Sequence, residues 1–163
     1  MLKGPDGWIH LTAINTEETL VAASCTEPTE NIVRIRLWNL ETGEFRDFDP
    51  RVPEEDCEAG GPLEGRVYQV RFLRDGRLLA SGSAGLRLWS IEDWTSESIR
   101  PCRKGRANIF SLNREETRLL ILDMSVKDEE STGTELEVLD LASGTSRLIT
   151  SHSNRLGQGT IAL

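Results

Sequence analysis

Residues 66–90 read RVYQVRFLRDGRLLASGSAGLRLWS, three short apolar runs separated by turn-forming residues. Val70 and Phe72 alternate with Gln69 and Arg71, the period of a strand that buries one face. Asp75-Gly76 follows, a pair that accepts the positive φ angles of a tight hairpin turn. Leu78, Leu79 and Ala80 then form a nearly continuous apolar run, as expected of a strand covered on both faces. Ser81-Gly82-Ser83-Ala84-Gly85 supplies the next reversal, and Leu86, Leu88 and Trp89 form a third strand with Arg87 turned away. The pattern predicts an antiparallel meander.

The same pattern recurs along the chain. LWNL at 37–40 matches LWSI at 88–91, and VLDL at 138–141 stands where a third copy belongs. Trp38 and Trp89 are 51 residues apart, and Leu139 lies 50 beyond Trp89. INTEETLVAAS (14–24) parallels LNREETRLLIL (112–122), and Thr42-Gly43 and Ser143-Gly144 mark a further turn after two of the closing motifs. One period of about fifty residues satisfies all of these markers. It predicts three four-stranded units, with strands near 7–15, 19–25, 32–40 and 43–48, then 67–73, 77–83, 86–91 and 96–100, then 107–113, 117–124, 134–141 and 145–150. QGTIAL at 158–163 reads as the first strand of a fourth unit, and no window sustains a helical period.

VYQVRFLRDGRLLASGSAGLRLWS resembles one repeat of the WD-repeat β-propeller family. Such repeats run approximately V-x-x-V-x-F-S-P-D-G-x-x-L-A-S-G-S before an apolar strand ending in Trp-Asp. The resemblance is specific around residues 67–91 and architectural elsewhere. It implies an all-β fold, an incomplete β-propeller of four-stranded antiparallel blades. One domain would span 1–163, with blades at 7–48, 67–100 and 107–150 and the start of a fourth at 158–163. The family's tying network of His, Ser, Trp and Asp is incomplete here. The second unit keeps Ser81 and Trp89, but Glu64-Gly65 stands near the Gly-His place and Ala84-Gly85 replaces the Asp-bearing turn; Ser151-His152 stands as a degraded Gly-His pair. Stability then falls to apolar packing through Leu37, Leu79, Leu88, Leu120 and Leu139.

Length sharpens this expectation. Propellers close with roughly four to eight blades, and 163 residues supply three and one strand. An open arc exposes two sheet faces built to meet neighbours. The expected partners are therefore the remaining blades, from the same or another chain, and a protein or peptide ligand. A fragment of a longer protein is the favoured expectation, and a protomer that completes its ring with other copies is the alternative.

Composition excludes several classes. A formal charge of −8 gives no basic surface for nucleic acid. No run of eighteen apolar residues predicts a membrane-spanning helix, and MLKGPDGWIH shows no apolar leader core. Cys25, Cys57 and Cys102 are odd in number and widely spaced, which argues against a disulfide framework and for a reducing, cytoplasmic setting.

Candidate chemistry is sparse. His10 and His152 lie far apart without a second ligand at metal spacing, so no metal or cofactor is expected. SGSAG at 81–85 has the letters of a nucleophile loop, but it joins two strands and no helix follows to stabilise an anion. No catalytic residue is expected and the chain is read as a non-enzyme. The resemblance assigns Trp38 and Trp89 to packing; Trp8 is expected to be half-buried, and Trp94, in a turn, is packing first and a surface contact second. By the same analogy, one rim gathers Glu54, Glu55, Asp56 and Glu58, then basic Arg103, Lys104 and Arg106, then Asp128, Glu129 and Glu130, a mixed-charge surface suited to steering a partner. The other rim is acidic too, through Glu17, Glu18, Glu41, Glu92, Asp93, Glu115 and Glu116. The function so implied is a protein-binding scaffold segment of a larger protein, for which family analogy offers a signalling protein. The alternative is an arc that gates or holds the substrate of an attached serine hydrolase or quinone-dependent dehydrogenase.

Overall fold

The computed structural model describes residues 7–26, 33–50, 66–82, 84–102, 106–125 and 133–152. Twelve strands form three separate sheets. The first holds β1 (Trp8–Ile14), β2 (Leu20–Thr26), β3 (Val33–Asn39) and β4 (Phe45–Phe48). The second holds β5 (Val67–Phe72), β6 (Leu78–Gly82), β7 (Gly85–Trp89) and β8 (Ser96–Arg100). The third holds β9 (Arg106–Leu112), β10 (Arg118–Ser125), β11 (Thr134–Asp140) and β12 (Ser146–His152). Each is an antiparallel meander in chain order, and each strand falls within a few residues of the run that predicts it. The predicted strand at 158–163 lies outside the described residues.

The sheets stack in sequence: β1 and β2 pack on β5, and β5, β6 and β7 pack on β9. The alternation of side chains assigns each sheet a front face toward its predecessor and a back face toward its successor. Ala22, Ile35, Leu37 and Phe48 on the back of the first sheet meet Val70, Phe72, Leu78 and Trp89 on the front of the second. Leu79, Leu86 and Leu88 on the back of the second meet Phe110, Leu119, Ile121 and Leu139 on the front of the third. β6 is therefore buried along its whole length, since it is covered from both sides.

Register makes the repeat exact. Trp38 opposes Val21, Trp89 opposes Leu78 and Leu139 opposes Leu119. Leu79 opposes Leu88 in the second sheet, and the matching back-face pairs are Ala22 with Leu37 and Leu120 with Val138. Leu79 is 0% exposed, whereas Leu120 is 41% exposed. Phe72 and Ile14 make the same comparison at the front, 6% against 54%. The back of the third sheet and part of the front of the first thus expose positions that the internal junctions bury.

Three expectations need correction. Leu120, expected to pack between blades, is 41% exposed, because it lies on the back of the third sheet, which no described sheet covers. Trp8 is 76% exposed rather than half-buried, because it opens the edge strand β1 beyond the reach of the neighbouring sheet. Cys102 is buried and disulfide-bonded, while Cys25 is a buried free thiol. Wide spacing along the chain therefore does not keep Cys102 from bonding. No described helix is long and apolar enough to cross a membrane.

Candidate binding surface

Each sheet places two turns on the same rim, one joining its first and second strands and one joining its third and fourth. The first-to-second turn is nearly identical in the first and third sheets. Asn15 accepts at Oδ1 from the amides of Thr19 (2.9 Å) and Leu20 (2.8 Å), and donates from Nδ2 to Glu17 and Thr19. Asn113 repeats every one of these bonds with Thr117, Arg118 and Glu115. The fourth residue of each turn donates its amide to the Asn carbonyl with φ positive, 56° at Glu18 and 57° at Glu116. The second sheet places Gly76 there at φ 86°, with Asp75 accepting from the Arg77 amide instead.

The third-to-fourth turn reverses this substitution. Gly43 and Gly144 occupy its left-handed position in the first and third sheets, while the second sheet places Trp94 there at φ 64°. A bulky residue in that region costs roughly 1–2 kcal/mol, so packing must hold it. The Trp94 ring lies 4.4 Å from the Phe48 ring of the first sheet, and the Arg46 guanidinium also meets it, 4.7 Å from the ring centroid. Phe48 also meets Trp89 edge-on at 5.3 Å. Aligning ETGEF, EDWTS and ASGTS exposes the exchange of Gly for Trp in the sequence, although only the structure gives its reach.

Glu116 performs the matching task one junction later. Its carboxylate accepts from the Arg74 amide in the preceding sheet's turn at 2.7 Å and pairs with Arg71 at 3.6 Å. The Phe110 amide donates to the Gln69 side chain at 3.0 Å, and Arg100 pairs with Glu137 across the same junction. One junction is therefore clasped by an aromatic ring and the other by charge.

A groove of about 660 Å³ opens where the first two sheets meet this rim. Leu20, Leu37, Phe45, Ile91 and Trp94 give it an apolar floor, with Arg46 at its side. Glu17, Glu18, Glu41, Glu44, Glu92 and Asp93 are exposed on the turns around it. Hydrogen bonds from Ser90 and Thr95 hold the Asp93 carboxyl below its ordinary range. Asp140 is held down in the same way by the Ser143 amide and hydroxyl.

The opposite-rim residues Glu54, Glu55, Asp56, Glu58, Arg103, Lys104, Asp128, Glu129 and Glu130 lie outside the described residues. Arg106 opens β9, and its side chain is likewise outside them. Ser81 is buried in β6, and its hydroxyl has no hydrogen-bond partner. A Cβ at Gly82 or Gly85 would collide with the Arg66 or Arg100 carbonyl, so these glycines of the SGSAG loop serve close backbone approach. His10 bonds the Thr26 hydroxyl at 2.8 Å. The described residues hold no group of three potential metal ligands.

No protein-family model and no curated protein matches the sequence. Solved structures do. An oligogalacturonate lyase from Vibrio parahaemolyticus superposes with a TM-score of 0.63 at 11% identity, over 91% of this chain and 42% of its own. The β-propeller domain of the Trilobed protease from Pyrococcus furiosus, described as having an open velcro topology, gives 0.53 at 13% identity, over 94% and 45%. The fold is an incomplete β-propeller. TolB from Acinetobacter baumannii gives 0.57 at 12% identity, over 91% of this chain and 33% of that one. The chain spans less than half the length of each of these relatives. Its three sheets are consecutive blades.

Proposed function

We propose that these blades form a protein-binding scaffold segment of WD-repeat type within a larger assembly, doing no chemistry of its own. Trp94 carries this reading. It is held in a strained turn conformation at the edge of an open apolar groove, where both sister turns use glycine. Strain of this kind persists where surrounding structure and function require it. The exposed carboxylates around the groove suit a peptide that offers an apolar anchor flanked by Lys or Arg.

The test is selection of displayed short peptides on the wild-type chain, with counter-selection on Trp94→Gly. Glycine suits the left-handed turn while removing the ring, and thermal unfolding of the variant, run beside the selection, separates loss of packing from loss of ligand. Basic sequences with one apolar anchor, lost on the variant, are the expected outcome. Enrichment that ignores Trp94, or that favours acidic sequences, would contradict the proposal.

A second reading has support from the relatives, two of which are named as a lyase and a protease. Under it, the blades hold or gate the substrate of an attached enzyme. Catalytic motifs in the adjoining coding sequence would favour that reading over a scaffold.

A further inference from the structure

At the end of the first junction away from Trp94, a second cavity of about 490 Å³ opens between the first and second blades. Small-molecule sites typically measure roughly 300–1,000 Å³. Its wall takes His10 from β1, Ser24 and Thr26 from β2, and Arg66 and Tyr68 from the start of the second blade. Two of these side chains reach it through strand irregularities. The β1–β2 pairing shifts register between Ile9 and Leu11, and the β5–β6 pairing shifts between Val67 and Gln69. His10 and Tyr68 are thus the extra residues of two bulges. Each stands just before a residue that opposes a buried serine, Leu11 opposite Ser24 and Gln69 opposite Ser81. β9 pairs with β10 without such a shift, so the blade itself does not require the bulge. Bulges re-aim side chains and recur beside functional sites, and these two bring an imidazole and a phenol to one cavity.

The chemistry of the wall is that of an anion site. Arg66 supplies a guanidinium, and no described carboxylate lines the cavity, although the chain carries 27 acidic side chains against 19 basic ones. The groove beside Trp94 has the opposite character, an apolar floor ringed by carboxylates. His10 and Thr26 hydrogen-bond at 2.8 Å, and Tyr68 is half-buried. Ser24 is 0% exposed in the cavity wall, and its hydroxyl has no hydrogen-bond partner. A buried polar group left unpaired is costly and uncommon, and the cavity is the side from which a partner can arrive. We propose that this cavity binds a small hydroxylated anion, with its carboxylate or phosphate on Arg66 and its hydroxyls on Ser24, Thr26 and Tyr68. A guanidinium meets either anionic group through paired N–H donors. The site is separate from the peptide groove, and its occupancy does not depend on a peptide being bound there.

Isothermal titration calorimetry of the full chain with D-gluconate, D-glucose 6-phosphate and D-glucose tests the proposal and distinguishes the two anionic groups. At least one anion is expected to saturate a single site with Kd below about 1 mM, and neutral glucose to bind at least tenfold more weakly. Saturation by gluconate alone assigns a carboxylate, by the phosphate ester alone a phosphate, and by both the shared charge. Arg66→Gln is expected to weaken anion binding at least tenfold. Ser24→Ala is expected to weaken it at least threefold without lowering the thermal unfolding temperature of the unliganded chain, because its hydroxyl has no bond to lose. Ser81→Ala, which removes an equally unpaired hydroxyl outside the cavity, is expected to leave binding unchanged. Glucose binding as tightly as the anions overturns the anion assignment. Binding indifferent to Arg66→Gln overturns the site, as does a lack of saturation by either anion up to about 10 mM.

Discussion

The two junctions between blades solve one packing problem with different chemistry. Between the first and second, Trp94 packs on Phe48 and Arg46. Between the second and third, Glu116 bonds the Arg74 amide and pairs with Arg71. Both residues occupy left-handed positions that glycine fills in a sister blade, so each junction accepts backbone strain in exchange for a contact. The aromatic clasp owes its strength to buried area, and the charged one to Coulomb attraction at a partly wet rim. They should therefore fail under different perturbations.

The largest expected effect is at Phe48, which is buried between Trp89 and Trp94. Phe48→Ala should cost about 3–5 kcal/mol in urea unfolding, the range for a buried aromatic truncated to Ala. Trp94→Gly should cost less, about 1–3 kcal/mol, because lost packing is partly offset by release of the left-handed strain. Glu116→Gly should cost about 0–2 kcal/mol, since a charge-assisted hydrogen bond is worth about 1.5–3 and the same strain is released. Raising salt should shrink the cost of Glu116→Gly and leave that of Trp94→Gly unchanged. Equal salt dependence in the two variants would erase the distinction between the junctions.

Acid should act on the turns by a third route. The folded pKa values of Asp93 and Asp140 lie below the ordinary 3.8, through hydrogen bonds from Ser90 and Thr95 to the first and from Ser143 to the second. Asp75 is also lowered: burial pushes it up, and the hydrogen bonds and charge of Arg77 outweigh that. A depressed carboxyl stabilises the fold above its unfolded pKa and loses that contribution as pH falls through the folded value. Stability should be flat in this respect at neutral pH and decline below about pH 4. Asp93→Asn and Asp140→Asn together should flatten the decline, as followed by thermal unfolding across pH.

Much of the fold is legible in the sequence because period-two alternation and turn residues are local signals. Asp75-Gly76 announces its hairpin, and INTEET and LNREET announce two copies of one turn. The clasps are harder to read. Glutamate at 18 and 116 gives no hint of positive φ until the repeats are aligned on Gly76, and Trp94 gives none until aligned on Gly43 and Gly144. Even then the contact partner lies in another blade, some forty residues away for Glu116 and Arg74. The mixed-charge rim rests on analogy with loop placement alone. The groove beside Trp94 instead depends on how two blades pack, which no single stretch encodes.

The most direct measurement of the account compares Leu79→Ala with Leu120→Ala in urea unfolding of the dilute chain. The two leucines hold the same register position, one covered by a following blade and one exposed. Consecutive blades predict a loss of about 2–5 kcal/mol at Leu79 and within about 1 kcal/mol at Leu120. Equal losses at both would contradict the stacking order, because the two positions would then share one environment.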